Sequence, residues 1–65
     1  MITLEEARNL KEGDILIHKF FKNEWNITEV KLYKTNLGRV TISLKRGEIR
    51  WKLTEKNLHL ASKKS

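Results

Sequence analysis

A chain of 65 residues has room for one small domain, and at this size only about 60% of the unfolded surface is buried on folding. The absence of cysteine excludes disulfide staples and thiolate metal sites, and no run approaches the ~20 apolar residues of a membrane-spanning helix. Fourteen Lys and Arg against eight Asp and Glu leave a net charge of +6, which favours polyanionic partners. The acidic opening Thr3-Leu4-Glu5-Glu6 differs from a signal peptide, so a soluble, cytoplasmic protein is expected.

The charge is unevenly placed. Residues 1–14 carry Arg8 and Lys11 against Glu5, Glu6, Glu12 and Asp14, a net of −2, and the remainder of the chain carries +8. Thr3 to Glu6 has the spacing of a capping box, in which the Thr hydroxyl and the Glu carboxylate each accept from the other's backbone amide. Leu4, Ala7 and Leu10 repeat at helical spacing, which predicts a short helix over 3–11 that stops at the turn residues Glu12-Gly13-Asp14.

Beyond Gly13 the apolar period becomes two. Residues 15–21 read as a first strand and residues 25–34 as a second. The apolar set of the second strand switches parity from Trp25 and Ile27 to Val30 and Leu32, which requires a bulge near Thr28-Glu29. A loop through Thr35-Asn36-Leu37-Gly38 then pairs Leu32 with Val40 and Val30 with Ile42. In the third and fourth strands Val40, Ile42 and Leu44 share a face, as do Ile49, Trp51 and Leu53. An Arg46-Gly47 hairpin loop pairs Lys45 with Glu48, Leu44 with Ile49 and Ile42 with Trp51, each apolar residue meeting another. Thr54 caps one helical turn, and Leu58-His59-Leu60 forms a fifth strand. The expected organisation is therefore a single domain over 1–61, with its sheet over 14–61 and a flexible basic tail at 62–65.

A helix followed by five short strands, with a helical turn before the last, resembles the small SH3-like barrels over about residues 13–61. Lys11-Glu12-Gly13-Asp14-Ile15 and the alternating strand after it are similar to the opening of the KOW-type barrels associated with ribosomes and transcription, although that motif's inner glycines are absent between Ile15 and Trp25. Size and a basic sheet are also similar to the small archaeal chromatin barrels. The resemblance implies a mainly β, closed barrel, and such folds host many unrelated functions.

The residues themselves point away from catalysis. His18 and His59 lie far apart, there is a single Asp, and no serine sits in a His-carboxylate pattern, so no catalytic residue, metal site or cofactor is expected. The outer face of the second to fourth strands is more informative. It gathers Lys31, Tyr33, Arg39, Thr41, Ser43, Arg50 and Lys52, with Glu29 as the acidic intrusion. Lys and Arg suit phosphates, Tyr33 suits stacking, and the two hydroxyls add neutral hydrogen bonds. The expected function is a nucleic-acid-binding module for DNA or RNA without sequence specificity. The alternative is a protein-interaction module, an adaptor or phage-type small inhibitor, that docks through an edge strand or through Phe21 and Trp25. An ordinary solvated sheet face competes with both.

Overall fold

The computed structural model describes residues 2–64. It consists of helix α1 (Leu4–Arg8), strands β1 (Ile15–His18), β2 (Glu24–Leu32), β3 (Val40–Arg46) and β4 (Ile49–Thr54), a 3-10 turn (Leu58–Leu60) and strand β5 (Ala61–Lys63). The protein is mainly β: all five strands are antiparallel members of one sheet in the order β4-β3-β2-β1-β5. Among the described residues β4 and β5 do not pair, so the sheet is open rather than closed into the expected barrel.

The capping box forms in full, with the Thr3 amide donating to Glu6 and the Glu6 amide donating to the Thr3 hydroxyl, both at 3.1 Å. The Thr3 backbone bond holds the Glu6 carboxyl below its ordinary value. The helix ends at Arg8, short of the predicted Lys11, because the Asn9 side-chain amide donates back to the Glu5 carbonyl and caps the turn. Ile2, Ala7 and Leu10 are the residues this segment buries, while Leu4 is only half covered.

Strand β1 stops three residues earlier than predicted. Phe20 and Phe21 leave the sheet because both backbone amides donate to His18 Nδ1, at 3.1 and 3.3 Å. Lys22 completes the turn with φ +58. The bulge in β2 stands where the parity switch requires it: register shifts between Ile27 and Glu29, and the Thr28 hydroxyl donates to the Ser43 carbonyl across the gap. Leu32 pairs with Val40 and Val30 with Ile42, as expected.

The β3–β4 register differs from the expected one by two residues. The loop is Gly47-Glu48, so Arg46 faces Ile49, Leu44 faces Trp51 and Ile42 faces Leu53. Gly47 has φ +63 and Glu48 does not share that positive sign, the pattern of a type II′ turn, which wants glycine at the first loop position rather than the second. Parity survives the shift, so the faces are as predicted, but Ile49 moves past the end of the core and is 58% exposed.

Thr54 does cap a turn, accepting from the Lys56 amide at 3.3 Å. The fifth strand, however, is Ala61–Lys63, and Leu58-His59-Leu60 is the 3-10 turn before it. Residues 62–64 of the supposed flexible tail are therefore structured: Leu16 pairs with Lys63 and Ile17 with Ser62, and the Lys64 amide donates to the Ile15 carbonyl. Ser65 lies outside the described residues.

The core runs from Ile2, Ala7 and Leu10 through Leu16, Trp25 and Ile27 to Val40, Ile42, Leu44, Leu53, Leu58 and Ala61. Trp25 is 8% exposed with its indole N–H donating to Asn23 Oδ1, and Trp51, on the inward face of β4 with Leu53, is partly buried and packs against the core. In urea denaturation, Trp25→Ala should lose about 3–5 kcal/mol, whereas Ile49→Ala should stay within about 0.5 kcal/mol. Gly47→Ala should cost about 1–2 kcal/mol, because it places a side chain on a backbone with positive φ where a type II′ turn wants glycine.

Candidate nucleic-acid interface

The outer face of β2, β3 and β4 is built of cross-strand rows. Lys31 faces Thr41, which faces Thr54; Glu29 faces Ser43, which faces Lys52; Lys45 faces Arg50. Directly opposed residues on an antiparallel pair have Cβ atoms ~5 Å apart, so the rows bring Lys31, Thr41, Ser43 and Lys52 onto one continuous surface. Arg50 adjoins Lys52 along β4.

Tyr33 and Arg39 flank this surface at the start of β3. The Arg39 guanidinium lies 4.5 Å from the Tyr33 ring centroid and the Lys31 ammonium 5.3 Å from it. The Tyr33 and Thr41 hydroxyls share a hydrogen bond of 3.2 Å. That bond, with the Lys31 and Arg39 charges behind it, holds the Tyr33 phenol below its ordinary value. The Tyr33 ring, expected to offer a stacking surface, thus already lies against two cations.

Lys45 was missed by the sequence reading. Its outward parity was legible, but the expected register set it against Glu48 and so neutralised it. In the structure it stands opposite Arg50 with its side chain exposed. Arg8, assigned to the acidic leading segment, lines a cleft with Tyr33, Leu37 and Arg39. A charge count by segment conceals such a residue, since only tertiary packing carries the helix to the sheet.

Carboxylates do little to cancel this charge. The ion pair found among the described residues joins Glu24, at the start of β2, to Lys64 just past β5 at 2.7 Å, so that carboxylate is engaged by a cation outside the proposed face. Glu55 spends its carboxylate on the Val40 backbone amide at 3.1 Å, and that bond holds it below the ordinary carboxylate value. Glu29 faces Ser43 rather than a cation.

The other proposed contact, Phe21 with Trp25, is divided by the structure. Phe21 is 75% exposed and Trp25 is buried, so the two do not form a joint surface anchor. Instead His18 sits 4.7 Å from Phe21 and 5.0 Å from Trp51, ring centre to ring centre, and Trp51 sits 5.3 Å from Trp25. Among the described residues no group of His, Asp and Glu is arranged to hold a metal, and no helix is long and apolar enough to cross a membrane.

No protein-family model matches the chain, and neither the curated proteins nor the solved structures searched include a match to it.

Because the chain has a single tyrosine, its ultraviolet titration reads Tyr33 directly. Thr41→Val should raise the Tyr33 pKa toward the ordinary value of 10.0 by removing the hydroxyl donor that favours the phenolate. An unchanged titration curve would show that the hydrogen bond does not set it.

Proposed function

We propose that this chain is a non-enzymatic, cytoplasmic module that binds nucleic acid, DNA or RNA, through its phosphates on the outer face of β2, β3 and β4. The observation that carries the reading is the pairing of Lys45 with Arg50 beside Lys52, without an ion pair to any of them among the described residues. Like charges directly opposite one another destabilise a sheet. A surface that only needs solubility intersperses both signs, whereas a polyanion rewards this clustering by exchanging its counterions for the cations.

Arg39 and Lys31, held against Tyr33, extend the positive surface along the strands. Thr41 and Ser43 lie between the cations and offer hydroxyls to phosphate or sugar oxygens. Such contacts position a nucleic acid but do not read its bases, which supports binding without sequence specificity. The open sheet favours a second reading, docking of a partner's strand on the free edge of β4. Arg50 and Lys52 on that edge would select an acidic strand.

Binding to duplex DNA should weaken linearly in log–log with salt, at a slope of about −0.9 for each phosphate neutralised. About 3–5 contacts from Lys31, Arg39, Lys45, Arg50 and Lys52 give a slope between about −3 and −4.5. Lys45→Ala and Arg50→Ala should each reduce its magnitude by about one and weaken all sequences alike. Lys63→Ala, on the far edge strand, should leave it unchanged. Equal losses from Lys63→Ala and Arg50→Ala would reduce the effect to net charge and discard this face.

A further inference from the structure

Two phenylalanines stand in solvent on a loop that is built to hold them there. Phe20 and Phe21 are 66% and 75% exposed. Their amides are pinned to His18 Nδ1, the Lys22 amide donates to the His18 carbonyl, and the His18 amide donates to the Asn23 carbonyl. Lys22 accepts a left-handed backbone, φ +58, to close this turn. A side chain in that region marks a place where the surrounding structure over-determines the backbone. The rings are backed by others: His18 lies 6.0 Å from Phe20 and 4.7 Å from Phe21, and reaches Trp51 at 5.0 Å.

The setting is cationic. Lys19 and Lys22 flank the phenylalanines in sequence, and the Lys19 ammonium lies 5.6 Å from the Phe20 ring centre. On β4, Trp51 alternates with Arg50 and Lys52, so the aromatic end and the basic face are the two sides of one edge strand. Exposed aromatic rings among cations that make no ion pair among the described residues match a polyanion whose units each carry a flat, unpaired ring. A duplex does not meet that description, because its bases are stacked on one another and it is stiff over ~150 base pairs. A single strand does: it is flexible enough to turn over an edge strand, and its free bases stack on aromatic side chains.

We propose that the preferred ligand is single-stranded nucleic acid, with bases stacked on Phe20 and Phe21 and the backbone passing over the β4 edge to Arg50, Lys52 and Lys45. This rests on the proposed function of the basic face and adds to it the form of nucleic acid and a second contact region. Tyr33, already covered by its two cations, is not the stacking residue; the Phe20-Phe21 loop is.

The experiment compares a labelled single-stranded oligonucleotide of about 12 nucleotides, within the range one small binding domain covers, with the corresponding duplex, by fluorescence anisotropy. The wild-type chain should bind the single strand more tightly. Phe20→Ala/Phe21→Ala should weaken the single strand by about tenfold or more and leave the duplex unchanged. Phe21→Leu, which keeps apolar area and loses the aromatic face, should also weaken the single strand selectively. Arg50→Ala/Lys52→Ala should weaken both ligands. Both phenylalanines are exposed, so every variant should keep the wild-type far-ultraviolet circular dichroism and urea midpoint, which reports an intact fold.

Three results overturn the inference. If the phenylalanine variants bind the single strand as the wild type does, the aromatic end belongs to a protein partner and the basic-face reading stands. If they weaken single strand and duplex equally, the loop is not a base platform, and the basic-face reading again stands. If the wild-type chain binds neither ligand at any salt concentration, the basic-face reading fails and this inference falls with it.

Discussion

One extra residue in β2 determines how a chain this small makes two usable surfaces. β2 pairs with β1 along its first half and with β3 along nearly its whole length, and the bulge at Thr28 separates Trp25 and Ile27 from Val30 by an odd step. Without that step, Ile27 and Val30 would face opposite sides of the sheet, and one of them would leave the core. Ile27 is the pivot. Its amide donates to the Asp14 carbonyl, its carbonyl accepts from the Gly13 amide, and its side chain is 2% exposed opposite Leu44. Thr28 then recovers part of the interrupted ladder by donating its hydroxyl to Ser43.

The basic face follows from what that pivot leaves outside. Apolar side chains of β3 are drawn inward at Val40, Ile42 and Leu44, so Thr41, Ser43 and Lys45 are pushed outward by alternation alone. The two-residue loop at Gly47-Glu48 fixes which outward residues of β4 meet them. A shift of two residues would have placed Glu48 beside Lys45 and dispersed the charge. The electrostatics of the face are therefore a property of one turn, and the turn is a property of one glycine's positive φ.

The strand faces, the capping box, the bulge and the β2–β3 register were legible because each rests on local spacing. Val40-Thr41-Ile42-Ser43-Leu44 leaves no alternative assignment of sides, and Trp25-Asn26-Ile27 followed by Val30 leaves no way around a bulge. The β3–β4 register was not legible in the same way. Pairing Ile42 with Trp51 satisfies apolar matching as well as pairing it with Leu53 does, and only the stereochemistry of Gly47 separates the two. Trp51 is less deeply buried than Trp25 for a similar reason: alternation gives a side chain its face but not its distance from the end of the core. Ala61 and Ser62 are weak strand formers beside a run of lysines, so β5 exists through its tertiary pairing with β1, which no local pattern announces. Of the candidate site, the outward cations were legible individually. Their mutual opposition, and the occupied state of the Tyr33 ring, depend on register and loop packing.

The junction between β1 and β5 has a consequence for how the sheet comes apart. The β2–β3 and β3–β4 pairings are hairpins closed by short loops, but β1 and β5 meet from opposite ends of the chain through three residue pairs. Closing so long a loop costs more chain entropy than closing a hairpin, and the Lys64–Glu24 pair that clasps it is half exposed and contributes little. Hydrogen exchange should therefore open this seam before the β2–β3 and β3–β4 hairpins, with the Lys64 amide losing protection before the hairpin amides of β3. The three-stranded unit that carries the cations would persist after that seam opens, whereas the Phe20-Phe21 loop, whose Lys19 amide is anchored to the Leu60 carbonyl just ahead of β5, would loosen with it.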